Sequence, residues 1–351
     1  MKAARFWKKG KLIIEDIPIR EPDAHEVLIR VRYCGVCGTD IHIYNGAKGA
    51  AEVTPPVTLG HEFSGYVLRV GDGVVDLKPG DRVSVDPNNY CGKCYFCTRG
   101  MKHLCRHMVG LGTSLDGGFA ETITVDERLV HHIPDPLDYK AAAMAEPLSC
   151  CLHGIDLTDI RAGQTVMVVG TGSIGMMMVQ LAKACGASAV IAVEPNAVHR
   201  EKALKLGADF GIDPIHDDTR ALLEQHAIEN IDRVIDCAGL ISTAEYCIRY
   251  AGRGAVVMLF GLTGPDDEMK LRPFEAFQKE LTIKACFVNP DTFSRSVALL
   301  AAGVVRTEEI IDQVIPLSDI ARVFEERLYA GGGKVLIDCG DELNEKSSTK
   351  P

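Results

Sequence analysis

The sequence predicts an α/β protein with an antiparallel, barrel-like β domain and a doubly wound parallel sheet. In residues 1 to about 150, short alternating segments recur between Gly and Pro turns, which is typical of antiparallel β structure. From about residue 163, short apolar strands alternate with helical segments, which is typical of a parallel sheet covered by helices. A chain of 351 residues is long enough to form two hydrophobic cores.

The individual elements are predicted from these local patterns. Four segments have strand character in the β domain: 27–33, 63–70, 82–86 and 119–126. The parallel sheet is predicted from strands at 165–169, 189–193, 233–238, 255–261 and 281–287, with helices at 173–185 and 199–208. A helical pattern at 294–303 and a β-like segment at 334–340 follow. The polar tail 341–351 is expected to be frayed.

The charge and composition exclude several classes of function. A formal net charge of −10 argues against nucleic acid or an anionic membrane surface as a partner, because a polyanion would be repelled. No apolar run approaches the ~20 residues that a membrane-spanning helix requires. The first residues alternate like a strand and lack the apolar core of a signal peptide, which predicts a cytoplasmic protein. In that setting, the 13 cysteines indicate bound metal or reduced buried thiols.

A glycine-rich motif indicates a dinucleotide site. It follows the strand at 165–169, opens the next helix and reads Gly170-Thr171-Gly172-Ser173-Ile174-Gly175. The glycines permit a tight turn and let the backbone approach a pyrophosphate at the helix N-terminus. Glu194 ends the next strand, where an acid binds the hydroxyls of the adenosine ribose. Its carboxylate would repel a 2′-phosphate, so we expect NAD rather than NADP. The alternative is a glycine turn without a ligand.

Four closely spaced cysteines indicate a structural zinc site. They lie within fifteen residues, in a polar, loop-like segment, at Cys91, Cys94, Cys97 and Cys105. Four thiolates suit tetrahedral Zn²⁺ and leave no position for a substrate. An iron–sulfur cluster is the chemical alternative, because cysteines hold those clusters too. Free packed thiols are a third interpretation.

Three further segments carry candidate ligands for a reactive metal. They are Cys37 to His42, Gly60-His61-Glu62 and Glu146-Pro147-Leu148-Ser149. Cys37, His61 and Glu146 are competent zinc ligands, and three protein ligands leave a fourth position open. Taken singly, each residue has an ordinary structural interpretation: a core thiol, a satisfied polar side chain and an acid at a helix N-terminus. Their presence beside a nucleotide motif and a zinc motif favours a catalytic metal centre.

The order of these motifs resembles the zinc-dependent medium-chain dehydrogenases over essentially the whole chain. The Glu-Pro-Leu-Ser segment is more similar to the polyol branch, with its sorbitol-type and galactitol-phosphate-type enzymes, than to simple alcohol dehydrogenases, which have cysteine there. The resemblance implies a GroES-like catalytic domain at 1–152 and 289–351 and a Rossmann domain at 153–288. It also implies a homo-oligomer, a tetramer or a dimer.

The resemblance further implies the roles of individual residues. Cys37, His61 and Glu146 would bind the catalytic zinc, and Glu62 would lie beside it as an alternate ligand or in the second shell. Thr39 and His42 would relay the proton of the alcohol to solvent. The alternative interpretation of His42 is an ordinary surface histidine. Each chain would then hold one catalytic and one structural zinc ion.

The expected reaction is the oxidation of a secondary hydroxyl on a polyol or sugar alcohol, with or without a phosphate group, to the ketone. Zinc would stabilise the alkoxide, and the hydride would pass to nicotinamide C4. Sorbitol-type enzymes carry an Arg-Tyr pair where this chain has Val288-Asn289-Pro290, so the substrate contacts differ, and Asn289 is expected to supply some of them.

Alternative functions remain open at this point. The substrate alternatives are a vicinal diol and an amino-alcohol such as threonine. Alternatives of another class are a non-catalytic NAD-binding zinc protein and a zinc-ribbon nucleic-acid binder. The intact set of Cys37, His61 and Glu146 favours an enzyme over the former, and the negative net charge disfavours the latter.

Overall fold

The computed structural model describes residues 1–47 and 53–340, which form two compact units. The first unit comprises Met1–Glu146, Phe293–Ala301 and the chain from Ile311 onward, and the second comprises Pro147–Thr292 and Ala302–Ile310. The tail at 341–351 lies outside the described residues. None of the described helices is long and apolar enough to cross a membrane.

The unit boundaries differ from the expected domain bounds in three short segments, which all belong to the second unit: 147–152, 289–292 and 302–310. The segment 302–310 is joined to the second unit by two hydrogen bonds between the side chain of Gln180 and the backbone of Arg306. The Gln180 amide donates to the Arg306 carbonyl and accepts from the Arg306 N–H at 2.9 Å. Such a contact between distant segments has no signature in the local sequence pattern.

The first unit consists mainly of β-strands. Its elements are β1 (Lys2–Lys8), β2 (Lys11–Asp16), β3 (Glu26–Gly35), α1 (Gly38–Tyr44), β4 (Val57–Thr58), β5 (Glu62–Val70), β6 (Arg82–Val85), β7 (Asn88–Asn89), β8 (Val109–Gly110), β9 (Thr122–Asp126), β10 (Val130–His132) and α2 (Tyr139–Ala143). After the second unit it resumes with α9 (Phe293–Ala301), β17 (Ile311–Pro316), α10 (Ile320–Glu325) and β18 (Lys334–Asp338).

The main sheet of the first unit is organised around β3. The strand order is β10-β6-β5-β3-β18-β17, and β9 also pairs with β3. The ladders are antiparallel except for β17 with β18, which is parallel because α10 lies between these two strands in the chain. Alternate residues of β3, namely Val27, Ile29 and Val31, pack with Phe63 of β5 in the core of this unit.

The second unit is a parallel sheet with connecting helices. Its elements are α3 (Ala145–Thr158, which starts in the first unit), β11 (Thr165–Val169), α4 (Ser173–Ala184), β12 (Ala189–Val193), α5 (Ala197–Lys205), β13 (Phe210–Ile212), α6 (Thr219–Gln225), β14 (Arg233–Asp236), α7 (Ile241–Tyr250), β15 (Val256–Leu259), α8 (Pro273–Lys279) and β16 (Thr282–Ala285). All five ladders are parallel, in the order β13-β12-β11-β14-β15-β16.

This strand order confirms the predicted α/β class with a doubly wound sheet. The chain winds outward from β11 in both directions, so the order reverses between β11 and β14, and ligands bind at such a reversal beyond the carboxyl ends of the strands. The strands at the centre are apolar at nearly every position because both faces are covered. Sequence analysis missed β13, since three residues carry no readable periodicity.

Candidate metal centre and nucleotide site

Three candidate ligands of the reactive metal converge in the first unit. Cys37 precedes α1, while His61 directly precedes β5 and Glu62 is the first residue of that strand. A ligand atom from each of them, a sulfur, a ring nitrogen and a carboxylate oxygen, lies within 4.8 Å of the other two. His61 and Glu62 are buried, and Cys37 is half-buried. Residues from two separate segments therefore form one compact group.

A buried carboxylate, Asp40, joins the two segments. Its Oδ2 accepts the Cys37 N–H at 2.8 Å, and its Oδ1 accepts the Gly60 N–H at 3.2 Å and lies 3.6 Å from His61 Nδ1. The side chain is fully buried. Asp40 lies inside the motif that sequence analysis singled out, yet no role was assigned to it. One feature of the sequence could have indicated this role. Asp40 is an acidic residue three positions after the helix N-cap Cys37, where its carboxylate can accept the N–H of the N-cap residue.

Glu62 is paired with a buried lysine. Lys334 Nζ donates to Glu62 Oε1 at 2.7 Å and lies 2.5 Å from Oε2, and both side chains are at most 5% exposed. Lys334 begins β18, which pairs with β3 next to β5. Sequence analysis missed this residue, because 272 positions separate the partners and no motif marks the lysine.

Glu146 is buried in the first turn of α3, but the compact group of ligand atoms does not include it. Burial raises the pKa of Glu146 to about 7; the charge of Glu62 adds to this rise, and His61 opposes it. The carboxyl group is thus close enough to interact with both neighbours. Its role as a metal ligand stays a prediction, as does the choice between Glu62 and Glu146.

The chemistry of the group fits a divalent cation. His61 Nδ1 is buried and makes no hydrogen bond within residues 1–47 and 53–340. Burial disfavours a charged imidazole, yet Asp40 and Cys37 outweigh it and raise the pKa of His61 well above its ordinary value. The surroundings therefore favour positive charge. A sulfur, an imidazole nitrogen and a carboxylate oxygen form a donor set that Zn²⁺ accepts readily.

The two residues of the expected proton relay lie on α1. Thr39 and His42 are three positions apart and therefore share one face of the helix. Both are partly exposed to solvent. The helix begins directly after Cys37, so both residues lie within five positions of that candidate ligand in the sequence.

The four predicted structural ligands converge on a second point. Cys94 Sγ lies 3.6 Å from Cys97 Sγ and 3.9 Å from Cys105 Sγ. A regular tetrahedron with Zn–S bonds of ~2.3 Å has edges of about 3.8 Å, so the spacing fits a single zinc ion. Sulfurs this close leave no room for the inorganic sulfide of an iron–sulfur cluster.

Backbone groups prepare the cysteine lobe, residues 91–105, for thiolates. The N–H groups of Cys91 and His107 donate to Cys105 Sγ at 3.4 and 3.3 Å. Backbone N–H groups of Cys97 and Arg106 lower the pKa of Cys94 to about 6. In contrast, burial and the neighbouring sulfurs raise the pKa of Cys97 to about 12. A cation bound between the sulfurs would remove the repulsion that keeps this last thiol protonated.

The glycine motif lies where a nucleotide site requires it, between β11 and α4. Gly170 has φ of +85°, a left-handed conformation that favours glycine. A Cβ on Gly175 would lie 1.9 Å from the Gly170 carbonyl oxygen, so only glycine permits this approach. Gly172 is the N-cap residue of α4, and Ser173 and Ile174 form its first turn, where backbone N–H groups are available to an anion.

Glu194 connects the glycine loop to the end of β12. Its Oε2 accepts the Thr171 N–H at 2.8 Å, and its Oε1 accepts the Asn196 N–H at 3.0 Å. The side chain is buried. The carboxylate is therefore held in one position next to the loop, and Arg200 donates to the Glu194 carbonyl at 2.6 Å.

Asn289, the residue expected to contact the substrate, has a protein partner in the structure, and its contact with a substrate stays a prediction. Asn289 is fully buried, and its amide donates to Ser149 Oγ at 2.7 Å. Thr292 Oγ1 donates to the Ser149 carbonyl at 2.7 Å. Asn289 therefore anchors the first half of α3 inside the second unit, because burial of its polar amide requires an internal partner.

Family models match most of the chain. Residues 23–135 match the alcohol dehydrogenase GroES-like domain, and residues 173–302 match the zinc-binding dehydrogenase domain. These two matches cover the cysteine lobe, the candidate ligands Cys37 and His61, and the second half of the glycine motif, from Ser173 to Gly175.

Curated relatives cover nearly the full chain. A sorbitol dehydrogenase of Halalkalibacterium halodurans is 33% identical, over 93% of this chain and 96% of its own. A D-arabitol-phosphate dehydrogenase of Enterococcus avium is 33% identical, over 93% and 94%. An L-threonine 3-dehydrogenase of Caldanaerobacter subterraneus is 34% identical, over 95% and 96%.

Solved structures share the same architecture. A protein of Sinorhizobium meliloti described as a zinc-binding dehydrogenase, bound to NADP, superposes with a TM-score of 0.91 at 37% identity, over 96% of this chain and 98% of its own. An alcohol dehydrogenase of Escherichia coli complexed with NADH superposes with a TM-score of 0.89 at 29% identity, over 96% and 99%.

Proposed function

The chain belongs to the zinc-dependent medium-chain dehydrogenases, a family of alcohol and polyol dehydrogenases, and from this premise we propose that it oxidises a secondary hydroxyl of a polyol or sugar alcohol to the ketone, with NAD as hydride acceptor. The observation that carries the proposal is the compact group of half-buried Cys37 with buried His61 and Glu62, and with Glu146 in electrostatic contact. Carboxylates make the centre harder and more polar than a second thiolate would, which suits a hydroxyl-rich substrate.

Each residue of the metal centre has a separate role in metal binding or proton transfer. Cys37, His61 and Glu146 hold the zinc ion, and Asp40 orients the His61 ring. When bound, zinc acts as a Lewis acid that lowers the pKa of an alcohol hydroxyl. Thr39 accepts the proton of that hydroxyl and passes its own proton to His42. His42, which is partly exposed, releases the proton to solvent.

The glycine motif would hold the dinucleotide. The N–H groups of the first turn of α4, at Ser173 and Ile174, bind the pyrophosphate, and Gly170 and Gly175 allow its close approach. Bound NAD supplies the acceptor for hydride from the substrate carbon.

The choice of NAD over NADP rests on Glu194. Its buried carboxylate is fixed by two backbone N–H groups, so it cannot easily turn away from a 2′-phosphate. The test compares kcat/KM for NAD and NADP in the wild type and in Glu194→Gln, which keeps the shape and removes the charge. We expect a strong NAD preference that falls in the variant. Equal efficiency with both cofactors in the wild type would refute the assignment, and NADP in the S. meliloti neighbour makes this a sharp test.

The substrate class is tested by kcat/KM across ethanol, 2-butanol, vicinal diols, hexitols and hexitol phosphates, with Cys37→Ser as the control for contaminating activity. Polyols are expected to be the best substrates. If simple monohydric alcohols exceed them by about tenfold, which corresponds to ~1.4 kcal/mol, the polyol assignment is wrong. Threonine belongs in the panel as the second candidate, because an L-threonine 3-dehydrogenase is 34% identical to the chain.

A homo-oligomer, dimer or tetramer, is part of the proposal. The terminal strand of the parallel sheet is β16, and the preceding helix α8 exposes two phenylalanines on one face, Phe274 at 70% and Phe277 at 80%. Both features support association with a second copy. Light scattering should give a mass above one chain, and replacing both phenylalanines by serine should lower it. A monomeric wild type would contradict this part.

A further inference from the structure

The pair of Lys334 and Glu62 is unusual because both charged side chains are almost fully buried, at 5% and 1% exposure. A buried ammonium is costly unless an opposite charge and hydrogen bonds compensate it. Lys334 Nζ contacts both oxygens of Glu62, at 2.7 and 2.5 Å. The ammonium therefore restrains the carboxylate as a whole and leaves neither oxygen to rotate freely.

Three neighbouring strands position Lys334 and Glu62 next to each other. Gly35 on β3 pairs with Glu62 on β5 and with Leu336 on β18, two residues after Lys334 on the same side of that strand. A Cβ on Gly35 would lie 2.1 Å from Glu62 Oε2 and 3.0 Å from Lys334 Cε. The missing side chain of the central strand thus provides the space that the two charged groups occupy.

The pair also affects the charge of the metal group. Glu62 has an oxygen within 4.8 Å of the ligand atoms of Cys37 and His61, close enough to compete for the metal. The thiolate of Cys37 and the carboxylates of Asp40, Glu62 and Glu146 carry four negative charges, two more than a zinc ion balances. The Lys334 ammonium offsets the charge of the carboxylate that it contacts, so Glu62 is compensated without binding the metal.

We propose that Lys334 is a positioning residue that holds the Glu62 carboxylate beside the metal centre and out of the metal's inner shell, so that the fourth position stays open for the substrate. This inference rests on the proposed function, because it assumes a metal ion at Cys37, His61 and Glu146. In the resting state Glu62 then lies beside the metal, paired with Lys334, and does not bind the ion. Without Lys334, the uncompensated carboxylate moves onto the metal and closes the open position.

The test uses cobalt in place of zinc at this centre and imidazole as a probe of the open position. The visible spectrum of the full chain loaded with Co²⁺ is recorded during an imidazole titration, and the Cys37→Ser variant provides the background from the cysteine lobe. In the wild type, imidazole should shift the spectrum. In Lys334→Met, the Kd for imidazole should rise by about tenfold or more, within the range of outer-shell substitutions.

Three further variants separate positioning from a general loss of structure. Lys334→Met combined with Glu62→Gln removes both charges and should restore imidazole binding to the level of Glu62→Gln alone. Lys334→Arg keeps the charge and should behave like the wild type. If Lys334→Met does not fold, the inference is still tested by the imidazole Kd of Glu62→Gln and of the double variant. Different Kd values in these two proteins would mean that Lys334 does not act through Glu62.

The outcomes distinguish this inference from the function on which it rests. A cobalt spectrum that is identical in the wild type and in Cys37→Ser would mean that no metal binds at the centre, and the proposed function would fail. A clear difference between those two proteins, with equal imidazole affinity in the wild type and in folded Lys334→Met, would leave the function standing and overturn the role of Lys334.

Discussion

Asp40 offers the most direct test of how the metal centre is assembled. Its carboxylate accepts the N–H groups of Cys37 at 2.8 Å and Gly60 at 3.2 Å, and it lies 3.6 Å from His61 Nδ1. Hydrogen bonds to a charged acceptor contribute about 1.5–3 kcal/mol each. Asp40→Ala removes two of them in a fully buried place, so we expect the free energy of unfolding to fall by at least about 3 kcal/mol.

The metal affinity should fall in the same variant, because the two ligand segments lose their common anchor. The loss of an outer-shell partner typically reduces metal affinity by about 10–100-fold. The two measurements are urea unfolding, followed by fluorescence or circular dichroism, and zinc affinity from competition with a chromogenic chelator.

Asp138→Ala is the matched control within the same unit. Asp138 is the N-cap of α2 and also accepts two backbone N–H groups, from Lys140 at 2.8 Å and Ala141 at 3.0 Å, but it is exposed. Its loss should cost about 1 kcal/mol and leave the zinc affinity unchanged. Our reasoning is refuted if Asp40→Ala destabilises the protein no more than Asp138→Ala and binds zinc as tightly as the wild type.

Three more predictions concern the metal content, strand packing and pH dependence. Metal analysis should approach two zinc ions per chain, and Cys97→Ser should lose one of them together with thermal stability. Gly65→Ala should lower the melting temperature sharply or prevent folding, because its Cβ would lie 1.9 Å from a backbone oxygen of the adjacent strand, whereas Gly331→Ala, where a Cβ meets nothing within 4 Å, should have little effect. Burial and then the charge of Lys102 lower the pKa of His131 below 6.5, so the stability that its neutral ring contributes is full above pH 6.5 and is lost as the pH falls. His131→Gln should therefore reduce the slope of unfolding free energy against pH below 6.5, and an unchanged slope would contradict this assignment.

The parts of the protein that could be predicted from the sequence are those that short stretches of backbone encode. Gly170 to Gly175 follow an apolar strand and open a helix, and the structure places them between β11 and α4. The four cysteines of the lobe lie within fifteen residues, and the structure brings their sulfurs to the spacing of one zinc ion. The parallel sheet was predicted for a similar reason, because strands buried on both faces appear as continuous apolar runs.

Contacts between distant segments could not be predicted in this way, because they depend on which strands pair and in which register. The alignment of β5, β3 and β18 places Glu62 next to Lys334 across 272 positions of sequence, and no local pattern in either strand indicates the partner. Asn289 was expected to contact a substrate because it stands in place of an Arg-Tyr pair and offers a donor and an acceptor. Its burial and its hydrogen bond to Ser149 of α3 could not be predicted from that position in the sequence. Residue types and spacing therefore determine the chemistry of each motif, while the pairing of distant strands and the burial of polar groups decide which carboxylate and which cation lie beside the metal centre.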